Sequence, residues 1–192
     1  PVVRSSSSRA VTPPPPASSS AQQQGGGGVG SDKIANITKS CSGISLPNAS
    51  GGQNGWASRY WDCCMPSCAW PENAQGSNQC KTCDKSGLNV LNPPNGSACA
   101  GGNGYTCYDH APYAVCEDLA YGYAAVPAHS PQCGKCFVLE FDGGNKDGIV
   151  KASHRSIKGK KMIVMASNVG GDVADGQVDI LIPGGGVGQF NG

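Results

Sequence analysis

The segment over residues 58–70 places one acidic side chain among aromatic residues. Its sequence, SRYWDCCMPSCAW, puts Asp62 directly after Tyr60 and Trp61 and a short distance before Trp70. Flat aromatic faces stack on sugar rings, and a carboxyl group beside them can serve as an acid, a base or a nucleophile. These residue types indicate glycoside chemistry, although Asp62 could also cap a turn and both tryptophans could belong to the core.

A second acidic segment lies near the C-terminal end of the sequence. Residues 170–192 read GGDVADGQVDILIPGGGVGQFNG, with Asp172 and Asp179 ahead of a glycine-rich turn. Asp179 interrupts the apolar run VDILI, where a charge is costly unless it is paired or used. Carboxyl groups in apolar surroundings hold a proton more readily, as a general acid must. The alternative is that Asp179 faces solvent on a half-buried strand.

Three segments have the pattern of β-strands that could position these carboxyl groups. Residues 136–141 alternate in polarity, and residues 161–166 form a short apolar run. Residues 177–182 place Asp179 and Leu181 on the face opposite the apolar side chains of the core.

One helix is predicted, over residues 112–123. Pro112 suits a first helical turn, and Val115, Leu119 and Tyr123 recur at helical spacing. The remaining sequence is rich in Gly, Asn and Pro and reads as loop. We therefore expect a small, mainly β domain with long loops held by disulfides and one short helix.

Eleven cysteines between Cys41 and Cys136 are the strongest compositional signal. Such density is typical of a disulfide framework formed in an oxidising compartment. The CxxC pairs Cys80–Cys83 and Cys133–Cys136 are also compatible with zinc, but zinc would leave seven cysteines unexplained. The odd count means that at least one cysteine lacks a partner within this chain. Three N-glycosylation sequons also indicate secretion and begin at Asn36, Asn48 and Asn95.

The charge balance argues against two classes of partner. Lys and Arg number 14 against 13 Asp and Glu, which gives no electrostatic reason to expect nucleic acid or an anionic membrane. No apolar stretch is long enough to span a bilayer. The three histidines, His110, His129 and His154, are scattered along the sequence, so we expect no metal and no other cofactor.

The chain divides by composition into three parts. Residues 1–32 contain runs of Ser, Pro, Gln and Gly and are predicted to form a disordered linker. Residues 33–51 are transitional, and residues 52–192 have the composition of a globular domain. No signal peptide is visible although the cysteines indicate secretion, so we expect the natural start to be absent. A linker joins two modules, which predicts a further module before residue 1.

Four segments carry a resemblance to a known family. Residues 60–70, YWDCCMPSCAW, closely resemble the signature TRYWDCCKPSC of glycoside hydrolase family 45 endoglucanases. Residues 178–192 resemble the second signature of that family, and residues 112–125 and 159–164 also match in the same order. The resemblance covers residues 52–192, which are identified as a catalytic domain of this family.

The resemblance implies a six-stranded double-psi β-barrel with a long groove. It implies hydrolysis of internal β-1,4-glucosidic bonds in cellulose and related β-glucans, with inversion. On matching positions Asp62 is the general base, Asp179 is the general acid and Asp172 is an auxiliary carboxylate on a loop. Inversion needs room for a water molecule, so the two catalytic carboxyl groups should be about 6.5–9.5 Å apart. The residues expected to bind substrate are Tyr60, Trp70 and Gln177.

The resemblance also implies a set of disulfides. The implied pairs are Cys64–Cys99, Cys68–Cys133 and Cys80–Cys107, with Cys83–Cys116 as an additional pair. Cys63 and Cys136 would bond to cysteines beyond Gly192, and Cys41 would stay unpaired, so the odd count is explained by C-terminal truncation. Losing two native disulfides, each worth about 2–4 kcal/mol, would make such a fragment marginally stable.

Two departures from the family pattern leave other functions open. Gln177 stands where the family often has His, and Met65 stands where it usually has Lys; Gln can donate a hydrogen bond but does not titrate. An expansin-like, non-hydrolytic cellulose-binding or wall-loosening protein is the first alternative, although expansins lack the base that Asp62 would provide. An inactive fragment is the second. The main expectation is a secreted, extracellular, monomeric endoglucanase that binds a β-1,4-glucan, preceded by a carbohydrate-binding module.

Overall fold

The computed structural model describes residues 2–7, 40–74, 79–128 and 132–184. Within these residues the fold is mainly β, with two short α-helices, α1 (Pro71–Ala74) and α2 (Ala152–Ser156). No helix in the described part of the chain is long and apolar enough to cross a membrane. The strands are β1 (Val2–Ser7), β2 (Gln53–Tyr60), β3 (Thr82–Cys83), β4 (Val90–Leu91), β5 (Tyr113–Cys116), β6 (Leu119–Pro127), β7 (Cys136–Phe141), β8 (Lys161–Gly170) and β9 (Gln177–Leu181).

Seven of the strands form one sheet that curls back on itself. Its order is β5-β6-β8-β7-β1-β2-β9, and β9 pairs again with β6, so six strands complete a circuit and β5 is added at the edge. The pairs β2–β9 and β6–β8 are parallel, whereas the other pairs in the circuit are antiparallel. The prediction of a mainly β, barrel-like fold with disulfide-stapled loops is confirmed.

The strand β1 departs from the prediction of a disordered linker over residues 1–32. Residues Val2–Ser7 pair antiparallel with β2 on one side and with β7 on the other. Strand pairing uses backbone groups, so a low-complexity sequence can occupy a gap between two strands and satisfy their open edges. The rest of the linker, residues 8–32, and residues 33–39 of the transitional segment lie outside the described residues.

The core lies inside the curled sheet and is built by alternation along the strands. In β7, Leu139 is completely buried and Phe141 nearly so, and they pack against Met162 and Val164 of β8 and Val178 of β9. Successive side chains of a strand point to opposite faces. The opposite face is covered in places as well, because Val138 of β7 and Leu181 of β9 are also buried. The three strands predicted from residues 136–141, 161–166 and 177–182 are confirmed.

The predicted helix over residues 112–123 is wrong. Residues Tyr113–Cys116 and Leu119–Pro127 form an antiparallel hairpin whose turn contains Glu117 and Asp118. The aromatic and β-branched residues of this segment favour strands, and a helical spacing over so few residues does not distinguish the two structures. The short helices lie elsewhere, at α1 and α2.

Four disulfides hold the loops to the sheet. Cys64–Cys99 and Cys68–Cys133 have the pairing that the resemblance implied, and these predictions are confirmed. Cys63 and Cys136 are free, as expected. The two other disulfides are Cys41–Cys116 and Cys83–Cys107.

The predicted pairs Cys80–Cys107 and Cys83–Cys116, and the prediction of an unpaired Cys41, are wrong. Cys83 exchanges two backbone hydrogen bonds with Tyr105, of 2.9 and 2.7 Å, which bring it to a Cα–Cα distance of 5.0 Å from Cys107. Cys80 is buried and free, and its backbone N–H bonds to the carbonyl of Cys68 instead. Cys116 ends strand β5, where it meets Cys41 from the segment before the sheet.

Candidate active site

Asp62 lies in an extended segment directly after β2, and this segment is fixed on both sides. The carbonyl groups of Cys63 and Cys64 accept hydrogen bonds from the backbone N–H and the hydroxyl of Thr106, at 3.0 and 2.7 Å. Further along, the Ser67 N–H donates to Asn168 Oδ1 at 2.9 Å, and the Val169 N–H donates to Ser67 Oγ at 2.8 Å. Together with two disulfides, these bonds hold the Asp62 segment against strand β8.

A cleft of about 340 Å³ opens beside Asp62. Its walls include Tyr60, Trp70, Asn168 and the Cys64–Cys99 disulfide. Aromatic rings next to hydroxyl, amide and carboxyl groups form the kind of surface that a neutral, hydroxyl-rich ligand requires. Both Tyr60 and Trp70, which were expected to bind substrate, therefore line the same cleft as Asp62.

Trp61, unlike Trp70, does not line the cleft. The guanidinium of Arg59 lies 5.2 Å from the centre of the Trp61 ring, a cation–π contact. The two tryptophans beside Asp62 in sequence therefore have different surroundings.

Asp179 lies on β9, directly opposite Ser58 of the parallel strand β2. The Ser58 hydroxyl donates a hydrogen bond to Asp179 Oδ1. Gln177 Nε2 donates to the same oxygen at 2.7 Å and to Ser58 Oγ at 2.9 Å. The carboxyl group that interrupts the apolar strand is thus half-buried and held by two neutral side chains.

Tyr60 connects the two carboxyl groups. Burial raises the pKa of the Tyr60 phenol well above the usual range. A hydrogen bond with Ser167 lowers this pKa, but by less than burial raises it. The negative charges of Asp62 and Asp179 are both close enough to raise this pKa further. Half-buried Tyr60 thus lines the cleft with Asp62 and lies two residues after Ser58, the residue opposite Asp179 on β9.

Asp172 lies on an exposed turn that follows β8. Val173, its neighbour, is buried and anchors this turn against the domain. A Cβ atom at Gly170 would lie 2.7 Å from Asp172 Oδ1 and from a methyl group of Val173, so a larger residue at position 170 would clash with the turn. The auxiliary carboxylate predicted at Asp172 is thus on a loop, two residues beyond the last residue of β8.

Three residues that support this site were missed by reasoning from the sequence. Ser58 bonds to Asp179, Ser167 bonds to the Tyr60 hydroxyl, and Asn168 bonds to the Asp62 segment. Ser58 lies in the conspicuous segment before Asp62, and this was the one available signal. The contacts themselves depend on which residues face each other between strands, which a single sequence does not reveal.

One cluster in the described residues brings three ligand-type side chains together. Potential ligand atoms of Cys107, Asp109 and His110 lie within 4.8 Å of one another. Cys107 is bonded to Cys83, however, so its sulfur is not available as a thiolate. Each CxxC pair likewise has one member in a disulfide, so neither pair offers two free thiols.

Comparison with known proteins places these features in a family. The family model described as "Glycosyl hydrolase family 45" matches residues 54–192, which include both carboxyl groups and the cleft. The chain belongs to glycosyl hydrolase family 45. Among curated family relatives, Endoglucanase B of Cellvibrio japonicus (strain Ueda107) is 45% identical over 148 residues, covering 77% of this chain and 29% of that protein.

Two further comparisons concern sequences from one organism, an Antarctic springtail. An endoglucanase of Cryptopygus antarcticus is 34% identical over 153 residues, covering 78% of this chain and 63% of that protein. The crystal structure of the cellulase from this Antarctic springtail matches with a TM-score of 0.56 at 35% identity, covering 71% of this chain and 62% of that chain. This chain therefore spans less than two thirds of the length of these relatives.

Proposed function

We propose that the protein is an endo-β-1,4-glucanase that cleaves internal bonds of cellulose and related β-glucans with inversion. In this proposal Asp179 is the general acid and Asp62 the general base. Asp179 transfers its proton to the glycosidic oxygen as the bond to the anomeric carbon breaks. Asp62 takes a proton from a water molecule, whose oxygen bonds to the anomeric carbon from the opposite face. One water is consumed and two shorter glucans leave.

The observation that carries this proposal is the position of the two carboxyl groups around strand β2. Asp62 lines the cleft two residues after this strand, and Asp179 lies opposite Ser58 within it. Both charges act on the phenol of Tyr60, which lines the cleft together with Asp62. Hydrolysis of a glycosidic bond requires two carboxyl groups, one as the acid and one as the base or nucleophile. Trp70 offers a flat face for a sugar ring, and the names of the curated relatives support a glucan as substrate.

Release of reducing ends from a soluble β-1,4-glucan tests the proposal. We expect the protein to release them, and the Asp62→Asn and Asp179→Asn variants to lose activity by about 100-fold or more while keeping the fold. Near-normal activity in either variant would remove that residue from its role. Binding to cellulose without release of reducing ends would favour the expansin-like alternative, and neither binding nor release would indicate an inactive fragment.

Secretion is part of the same proposal. The four disulfides support folding in an oxidising compartment, and glycosylation at exposed Asn48 and Asn95 would agree with it. A monomeric state, a carbohydrate-binding module before the linker, and the role of Asp172 as an auxiliary carboxylate remain proposals. Intact-mass analysis of the protein secreted by a eukaryotic host would test glycosylation directly.

A further inference from the structure

The two oxygens of Asp179 have different surroundings. Oδ1 accepts hydrogen bonds from the Ser58 hydroxyl and from Gln177 Nε2. Among the described residues, these two donors are the hydrogen-bond partners of the Asp179 side chain, and neither is bonded to Oδ2. The carboxyl group is therefore asymmetric: one oxygen is occupied by two donors, and the other is left for a different partner.

The two donors are themselves fixed by a short chain of hydrogen bonds. Gln177 Nε2 also donates to Ser58 Oγ, so the single proton of the Ser58 hydroxyl is directed to Asp179. On the other side of the amide, Gln177 Oε1 accepts from the Ala174 N–H at 3.1 Å, and the Gln177 N–H donates to the Ala174 carbonyl at 2.9 Å. These bonds fix which way the amide of Gln177 points.

We infer that Ser58 and Gln177 are positioning residues that reserve Oδ1 of Asp179 and leave Oδ2 to carry the transferable proton. This inference rests on the proposed function, in which Asp179 is the general acid. A proton on Oδ1 would face two hydrogen atoms that already point at that oxygen, whereas a proton on Oδ2 meets no such donor. In the reaction the Oδ2–H bond breaks and the proton forms the new hydroxyl of the departing glucan.

Gln177 has a different role in this account from the substrate binding expected of it. Both polar atoms of its side chain are already bonded within the protein, to Ser58, Asp179 and Ala174. It also links the acid to the loop between β8 and β9 that carries Asp172. A movement of that loop would therefore reach Asp179 through the Gln177 amide.

A comparison of two leaving groups distinguishes positioning of the acid from general support of the fold. A cello-oligosaccharide needs protonation of its leaving oxygen, whereas a 2,4-dinitrophenyl cello-oligosaccharide does not, because dinitrophenolate is a stable anion. We expect Ser58→Ala and Gln177→Met each to lower kcat on the first substrate by about 10- to 100-fold. On the second substrate we expect kcat to change by less than about twofold.

Three further variants make the outcome decisive. Ser58→Thr keeps the hydroxyl and should restore most of the activity that Ser58→Ala loses. Ser86→Ala is the matched control, because Ser86 makes a similar hydroxyl–carboxylate bond to Asp84 at the exposed surface. Asp179→Ala tests the proposed function itself, since it should lose activity on the oligosaccharide and retain it on the dinitrophenyl substrate.

Each result has a defined meaning. Equal losses on both substrates, or no loss on the oligosaccharide, would overturn the positioning role of Ser58 and Gln177. If Ser58→Ala does not fold, as judged by its thermal unfolding, the half-exposed Gln177→Met variant decides the question alone. If Asp179→Ala shows no dependence on the leaving group, the general-acid assignment fails, and it fails separately from the inference about its neighbours.

Discussion

Ser58 and Asp179 face each other across the parallel strands β2 and β9, although 121 residues separate them in the chain. This pairing places the end of β2, with Tyr60 and the Asp62 segment behind it, beside the strand that carries the second carboxyl group. A closed set of strands therefore brings two acidic motifs that are distant in the sequence close together in the fold.

The first prediction concerns the hydroxyl group of Tyr60, which lines the cleft beside Asp62. We expect Tyr60→Phe to lower the hydrolysis rate about tenfold, the effect of losing one hydrogen bond of about 1.4 kcal/mol. The buried Ser167 hydroxyl loses its bond to Tyr60 and keeps a long one, of 3.5 Å, to the Ala124 carbonyl, so the free energy of unfolding should fall by about 1 kcal/mol. Urea unfolding and initial rates measure the two effects. Tyr108→Phe, at an exposed tyrosine, is the control, and an equal effect there would contradict the assignment.

The second prediction concerns the aromatic wall of the cleft. We expect Trp70→Ala to raise KM for a long cello-oligosaccharide about tenfold, with a smaller change in kcat. The reason is the loss of a flat stacking face that contributes about 1.4 kcal/mol to binding. Trp61→Ala is a matched control, because Trp61 packs against Arg59 and does not line the cleft. If the two variants raised KM equally, the proposed path of the substrate along Trp70 would be wrong.

The third prediction concerns the disulfide Cys83–Cys107, which differs from the pairing that the family resemblance implied. Trypsin cleaves after Lys81 and Lys85, which places Cys83 apart from Cys80 in the peptide Thr82–Lys85. Chymotrypsin, added next, cleaves after Tyr105 and Tyr108, which places Cys107 apart from Cys99 and Cys116 in the peptide Thr106–Tyr108. After alkylation without reduction, we expect this tetrapeptide to remain linked to the Cys107 peptide and to be released by reduction. Mass spectrometry of the two digests gives the answer. A free, alkylated tetrapeptide before reduction would show that Cys83 is not the partner of Cys107.

The fourth prediction concerns acid stability. His110 is buried against Tyr123, with ring centres 4.3 Å apart, and burial lowers its pKa to about 4. The unfolded chain binds the proton first, near the ordinary pKa of about 6.5, so stability falls as the pH falls from there to about 4. The full loss is roughly 3 kcal/mol. Above pH 7 both states are neutral at this residue and it causes no pH dependence.

Unfolding by urea at a series of pH values checks this account. The His110→Gln variant should show a smaller loss of stability between pH 7 and 4 than the unaltered protein, because glutamine does not titrate. The His154→Gln variant, on the surface helix α2, serves as the histidine control. If His110→Gln kept the full slope in this pH window, another group would be responsible.

The two carboxyl groups stand out in the sequence because each lies in a segment of unusual composition, and their catalytic roles, which the resemblance implied, stay predictions. Asp62 stands among aromatic residues, and Asp179 interrupts an apolar strand, so each signal is local. Ser58 and Ser167 could not be predicted in the same way. Their importance comes from their partners, Asp179 and Tyr60, and those contacts arise only when the strands pair in one register.

The errors have a similar origin. The segment over residues 112–123 has side chains at a spacing that fits a helix, yet it forms a hairpin because neighbouring strands β8 and β9 pair with it. Tertiary pairing outweighs a weak local pattern in such cases. The partner of Cys107 was likewise decided by the backbone bonds between Cys83 and Tyr105, which leave no trace in cysteine spacing.

The anomeric configuration of the first product is the most direct test of the central claim, that Asp62 and Asp179 hydrolyse a β-1,4-glucan by inversion. Proton NMR of the reaction within the first minutes, before mutarotation, distinguishes the two anomers. Attack by a water molecule activated by Asp62, opposite the bond that Asp179 protonates, should produce the α-anomer from the β-linked substrate. Initial formation of the β-anomer would indicate a retaining reaction and contradict the roles of both carboxyl groups.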